Sequence, residues 1–144
     1  MENLIKEFLL DKHPVIIGIS SRDDAWGNEL FKLFLDKGYQ PIPLGYRKDA
    51  FLGSICKNDI NEIPENSLNV IFSISANEAK KIVYNVEKGK IKTAWFVFGS
   101  FSKQIMQLAK EKEINVIHGY CPMMFLNGKG IHKFHYWIKK LFNS

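Results

Sequence analysis

The chain has 144 residues, the size of one compact domain that can bury a core without disulfide staples. Apolar residues make up 46% and charged residues 24%, and no uninterrupted apolar run is long enough for a membrane span. The net charge is +5 with 20 Lys+Arg, but the lysines scatter, and no finger, helix-turn-helix or RNP-like pattern accompanies them. That balance suits an anionic small ligand as readily as a polymer, and nucleic acid is not the expected partner.

The opening MENLIKEFLLDKH places Leu4, Ile5, Phe8 and Leu9 at helical spacing and mixes acids among its apolar residues. It therefore predicts an amphipathic helix, not a signal peptide, and a cytoplasmic protein. His13-Pro14 interrupts the helix, and Val15 to Ile19 reads as a buried first strand. Leu30, Phe31, Phe34 and Leu35 recur at helical spacing before Lys37-Gly38, which predicts a helix from about Trp26 to Lys37.

Pro41-Ile42-Pro43-Leu44 is a short second strand whose two missing N–H groups face one side, so it should be partly unpaired there. Gly45 to Asn69 reads as polar and irregular. Val70 to Ile74 is then a third strand, Asn77 to Lys88 a helix, Thr93 to Phe98 a strand and Ser100 to Glu113 a helix. Asn115 to Ile117 is a short final strand, and Ile131, Phe134, Ile138 and Leu141 or Phe142 predict a closing helix over 130–142. Strands alternating with helices indicate a single α/β domain: a three-layer, doubly wound parallel sheet of about five strands with helices on both faces.

In such a sheet, ligands bind outside the carboxyl ends of the strands, and the first helix presents unpaired N–H groups there. The stretch IIGISSRDDAWGNELF is that strand-to-helix loop. Gly18 permits close backbone approach, Ser20 and Ser21 offer hydroxyls, Arg22 can pair with a phosphate, and Gly27-Asn28 opens the helix with little bulk. Taken alone, Gly18 and the serines equally make an ordinary turn. The loop spells neither GxGxxG nor GxxxxGK[ST].

That loop, together with Gly53, Cys56, Ile63-Pro64, Trp95, Gly99 and the run His118-Gly119-Tyr120-Cys121-Pro122-Met123-Met124-Phe125, resembles the small stand-alone CoA-binding proteins with a Rossmann-like fold. These are related to the CoA-binding domain of succinyl-CoA synthetase alpha subunits. The resemblance extends from about Pro14 to Leu141. It implies that CoA's diphosphate lies on the loop of Gly18, Ser20 and Arg22, with the first helix starting near Gly27 and Asn28.

Two strand ends depart from the family's pattern. Leu44-Gly45-Tyr46 stands where relatives usually read V-N-P, and Trp95-Phe96-Val97-Phe98-Gly99 stands for W-L-Q-P-G. Gly45 can admit a nucleotide, Tyr46 can stack on an adenine and Arg47 can reach a phosphate, whereas Val97 cannot hydrogen-bond as a glutamine does. Trp26 at the helix entry is a candidate wall of the pocket, and Gly99 lies at the fourth strand end.

The expected function is non-catalytic binding of CoA or an acyl-CoA. The alternative is an interaction or oligomerisation protein on the same fold with a degenerate cofactor site. A nucleotide-dependent enzyme needs an acid at the end of the second strand to hold ribose hydroxyls; Leu44-Gly45-Tyr46-Arg47 offers none, and Arg47 favours a phosphorylated ribose, which CoA carries at its 3′ position. No GxSxG elbow is present, and a ligase would need a phosphorylatable histidine in a further domain. Catalysis is thus left open but not expected. The partner is a CoA compound, with no nucleic acid and no membrane, and a homodimer is left open.

Cys56 and Cys121 lie outside any CxxC pattern and are expected to be reduced. His118 and Cys121, like His132 and His135, are spaced to share a metal, although surface histidines beside a buried cysteine are the simpler reading, and no metal site is expected. Cys121 as a reactive thiol near CoA's own thiol stands against Cys121 as a small buried residue.

Overall fold

The computed structural model describes residues 1–47 and 50–126. The expected closing helix, with Trp137, His132 and His135, lies outside the described residues. Helix α1 spans Glu2–Leu10, strand β1 Val15–Ser20, helix α2 Trp26–Asp36 and strand β2 Ile42–Tyr46. A hairpin of β3 (Ala50–Phe51) and β4 (Ser54–Ile55) and a 3-10 turn (Ile60–Glu62) follow. Then come β5 (Leu68–Phe72), α3 (Ala76–Asn85), β6 (Ile91–Phe96), α4 (Lys103–Glu111), β7 (Asn115–His118) and α5 (Met123–Leu126).

Among the described residues, five parallel strands form one sheet in the order β2-β1-β5-β6-β7. The chain steps from β1 to one side, then returns past it to the other, so the winding reverses between β1 and β5. Successive strand residues point to opposite faces, and each face has its own core. Val15, Ile17, Val70, Phe72, Ala94 and Phe96 pack with α3 and α4 through Ala79, Val83, Ile105 and Ala109. Ile16, Ile19, Ile71, Trp95 and Ile117 pack with α1 and α2 through Ile5, Phe8, Leu30, Phe31 and Phe34. This is the expected three-layer arrangement.

Strand β2 is the sheet edge, as its prolines require. Ile42 donates its N–H to Pro14 on the β1 side, so the Pro43 nitrogen, which carries no N–H, and the Gly45 N–H face outward. Lys57 covers part of that edge, donating to the Pro43 carbonyl at 2.9 Å and accepting from the Gly45 N–H at 2.8 Å. The region expected to be irregular therefore contains a small hairpin. Its tight turn places Leu52 and Gly53 both at positive φ, a conformation usually signalled by Asn-Gly, and its strands are too short to show a period. Asp59 and Glu62 form a capping box on the 3-10 turn.

Helix α2 ends with the Tyr39 N–H on the Phe34 carbonyl at 3.0 Å and the Gly38 N–H on the Leu35 carbonyl at 3.1 Å, a Schellman closure. The Tyr39 hydroxyl then donates to the Leu9 carbonyl at 2.6 Å and ties α1 to the α2–β2 junction. Ser75 and Ser102 cap the starts of α3 and α4, accepting from the N–H groups of Glu78 and Ile105, so α3 begins one residue before the expected start and α4 three residues after it, and both helices end earlier than expected. No helix among the described residues is long and apolar enough to cross a membrane.

Candidate functional site

The loop after β1 is shaped first by the packing of backbone against backbone. The β1–β2 register slips between Ile17 and Ile19, so Gly18 is the extra residue of a bulge, at φ +120°. A Cβ on Gly18 would lie inside the Ser73 carbonyl, one on Gly27 inside the Gly18 carbonyl, and one on Gly45 inside the Ile19 carbonyl. These three glycines let β5, α2 and β2 crowd the end of β1. Their first demand comes from the protein's own chain, not from a ligand.

Asn28 fixes the loop from beneath. It is fully buried, its Oδ1 accepts from the Ser20 N–H at 3.0 Å, and its Nδ2 donates to the Ser20 and Arg22 carbonyls at 3.0 and 2.8 Å. Both amide protons are spent on the loop, so the side chain positions the turn. The Ser20 hydroxyl accepts from the Arg22 N–H at 3.1 Å. Helix α2 starts from Ala25 with no side-chain cap, which leaves the first-turn N–H groups of Trp26, Gly27 and Asn28 without one.

Arg22 is exposed and pairs with Asp24 at 3.3 Å, while Arg47 is mostly covered, donating to the Ser20 carbonyl at 3.3 Å and lying 3.8 Å from Asp23. The Arg47 guanidinium also stacks over Phe51 at 4.8 Å. Both arginines thus sit at the loop, each beside an aspartate of that loop.

A cleft of about 550 Å³ opens at the carboxyl ends of β1 and β2, against α3 and the 3-10 turn. It lies at the reversal between β1 and β5, where doubly wound sheets hold ligands. Of the expected site residues, Gly18, Ser20, Gly45 and Tyr46 line it. Ser21, Arg22, Trp26, Gly27, Asn28 and Arg47 lie on the adjoining loop, helix start and strand end, outside its lining. Gly99 stands apart in the turn after β6.

Several lining residues were not singled out by the sequence: Ser73 and Ser75 between β5 and α3, Glu78 and Lys81 on α3, and Asn58, Asp59 and Asn61 around the 3-10 turn. Small polar residues after the third strand were the only signal for Ser73 and Ser75. Nothing local marked Asn58 to Asn61, which reach the cleft because Lys57 pairs with β2.

Trp95 and Val97 are core residues. The Trp95 indole donates to the Tyr120 carbonyl at 2.9 Å and meets Phe8 edge to face at 5.2 Å; Val97 is buried on the α1–α2 side. His118 stacks on Phe101 at 4.2 Å. No cluster of three His, Cys, Asp or Glu suited to a metal occurs among the described residues. Burial pushes the Cys121 thiol above its ordinary pKa, only partly opposed by a backbone hydrogen bond from Met123, so this environment disfavours thiolate.

Comparison with known proteins adds the decisive observation: a family model described as CoA binding domain matches residues 12–127. The chain belongs to the CoA binding domain family. Three solved structures share its fold. Prb, a protein redesigned for binding, superposes with a TM-score of 0.76 at 22% identity, over 90% of this chain and 94% of its own. A hypothetical protein from Pyrococcus horikoshii gives 0.75 at 20% identity, over 94% and 92%. A protein from Thermus thermophilus gives 0.75 at 14%, over 85% and 93%. Helix α1 lies wholly before the segment matched to the CoA-binding domain, yet supplies Ile5 and Phe8 to the core.

Proposed function

We propose that this CoA-binding domain is a non-catalytic module that holds CoA or an acyl-CoA across the end of β1. The diphosphate rests on the β1–α2 loop, and the nucleotide lies near Gly45 to Arg47. The observation that carries this reading is the cleft at the winding reversal, bordered by Gly18, Ser20, Gly45 and Tyr46. The first turn of α2 has no side-chain cap, which suits it to a phosphate, with Arg22 on the same loop and Arg47 beside it. The cleft volume falls within the range of small-molecule pockets.

Thermal unfolding with CoA, acetyl-CoA, NADP and ATP tests the reading. A ligand at 100 times its Kd stabilises by about 2.7 kcal/mol. CoA compounds should raise the Tm, and Arg22→Ala and Tyr46→Ala should weaken that response without lowering basal stability, since both side chains are exposed. Unchanged CoA affinity in both variants removes the proposed placement.

The second reading, an interaction or oligomerisation protein with a decayed cofactor site, is favoured by the aspartates beside both arginines and by the apolar surroundings of Val97. It expects no stabilisation by any of these compounds at millimolar concentration.

A further inference from the structure

The end of β2 carries no acid in sequence, but the tertiary structure delivers one. Lys57 bridges to Leu44 at the outer edge of β2, and this carries Asn58 and Asp59 into the wall of the cleft beside Gly45. Asp59 is held there: its Oδ1 accepts from the Asn61 N–H at 2.9 Å, and the Glu62 carboxylate accepts from the Asn58 and Asp59 N–H groups at 3.2 and 3.1 Å. A carboxylate has about four acceptor positions, so the cap leaves Asp59 able to accept hydroxyl protons. Glu78, in the first turn of α3, lines the same cleft.

Against these two carboxylates the described lining contains one ammonium, Lys81. Arg47, the cation that the sequence offered to a phosphorylated ribose, instead engages the Ser20 carbonyl, Asp23 and the Phe51 ring. A ribose phosphate in the cleft would therefore meet two like charges and lack its guanidinium, whereas a free ribose diol would meet an oriented acceptor.

We propose that the cleft selects an adenosine 5′-diphosphate ester whose ribose hydroxyls are free, so that dephospho-CoA is preferred over CoA. The inference rests on the cleft being the nucleotide seat of the proposed CoA site, and Asp59 and Glu78 are its specificity-determining residues.

Dephospho-CoA and CoA differ only in the 3′-phosphate, which makes them the controlled pair. Calorimetric titration at low salt should give dephospho-CoA an affinity at least about tenfold higher, with the ratio shrinking as salt screens the carboxylates. Asp59→Asn keeps a competent cap and should narrow the ratio from both sides, by strengthening CoA and weakening dephospho-CoA. Glu78→Gln should strengthen CoA alone.

CoA binding as tightly as dephospho-CoA, or more tightly, overturns the inference and leaves the CoA-binding reading standing. ADP binding with neither CoA form would retain the cleft's selectivity and remove the CoA reading. No binding of CoA, dephospho-CoA or ADP at millimolar concentration overturns both.

Discussion

Replacing Asn28 by alanine tests whether the β1–α2 loop is held from within. The substitution deletes three hydrogen bonds at a fully buried position and takes its acceptor from the Ser20 N–H, while the Ser20 and Arg22 carbonyls keep the Arg47 guanidinium and the Ala25 N–H. At about 1 kcal/mol net per hydrogen bond, with some relief from water at the half-buried Ser20, the loss should be about 2–4 kcal/mol. For a chain of this length that corresponds to a Tm lower by roughly 6–12 °C. Urea unfolding should show a lower midpoint with an unchanged slope, since the native surface is preserved. CoA affinity should fall as well, because the loop is no longer fixed. Ser21→Ala, in the same exposed loop, is the control and should change stability by less than about 0.5 kcal/mol. A loss below about 1 kcal/mol for Asn28→Ala would refute the view that this amide pins the loop.

Gly18→Ala should destabilise by at least about 3 kcal/mol, because it adds both a backbone clash and an unfavourable φ, whereas Gly53→Ala, with positive φ but open space, should lose only about 1–2 kcal/mol. Equal losses in denaturant unfolding would mean that the Ser73 contact yields easily. Asp23→Asn with Asp24→Asn releases Arg47 and Arg22 from their carboxylates; CoA affinity should rise by roughly 3- to 10-fold at low salt and the gain should vanish at high salt. Weaker binding would instead make the aspartates ligand contacts. Cys121 should alkylate more slowly than a free thiol up to the ordinary thiol pKa, its charged form being disfavoured by burial, and accelerate only at higher pH. Alkylation by iodoacetamide at neutral pH as fast as that of free cysteine would contradict this.

Period and punctuation in the sequence determined the layers. The apolar runs at Val15, Val70 and Thr93 and the helical spacing of Leu30, Phe31 and Phe34 each encode one local conformation, so alternating strands and helices and the first loop were legible without contacts. The prolines at 41 and 43 marked the second strand as partly unpaired for the same local reason, and the fold makes it the sheet edge. The start of α4 was less legible, because the single serine cap at Ser102 decides it. The hairpin at Ala50 to Ile55 was hidden, since two-residue strands carry no period.

The site divides along the same line. Gly18, Ser20, Gly45 and Tyr46 sit at strand ends, and a strand end can be read from sequence; Asn58, Asp59, Glu78 and Lys81 reach the same cleft from separate segments. Lys57 pairing with β2 and the reversal between β1 and β5 bring them there, and such long-range contacts leave no local pattern. Tertiary structure also decided what the glycines and arginines do. Gly18, Gly27 and Gly45 answer to carbonyls of distant strands and loops, and Arg47 turns to Ser20 and Asp23, because close packing and charge pairing are settled only once the chain has folded.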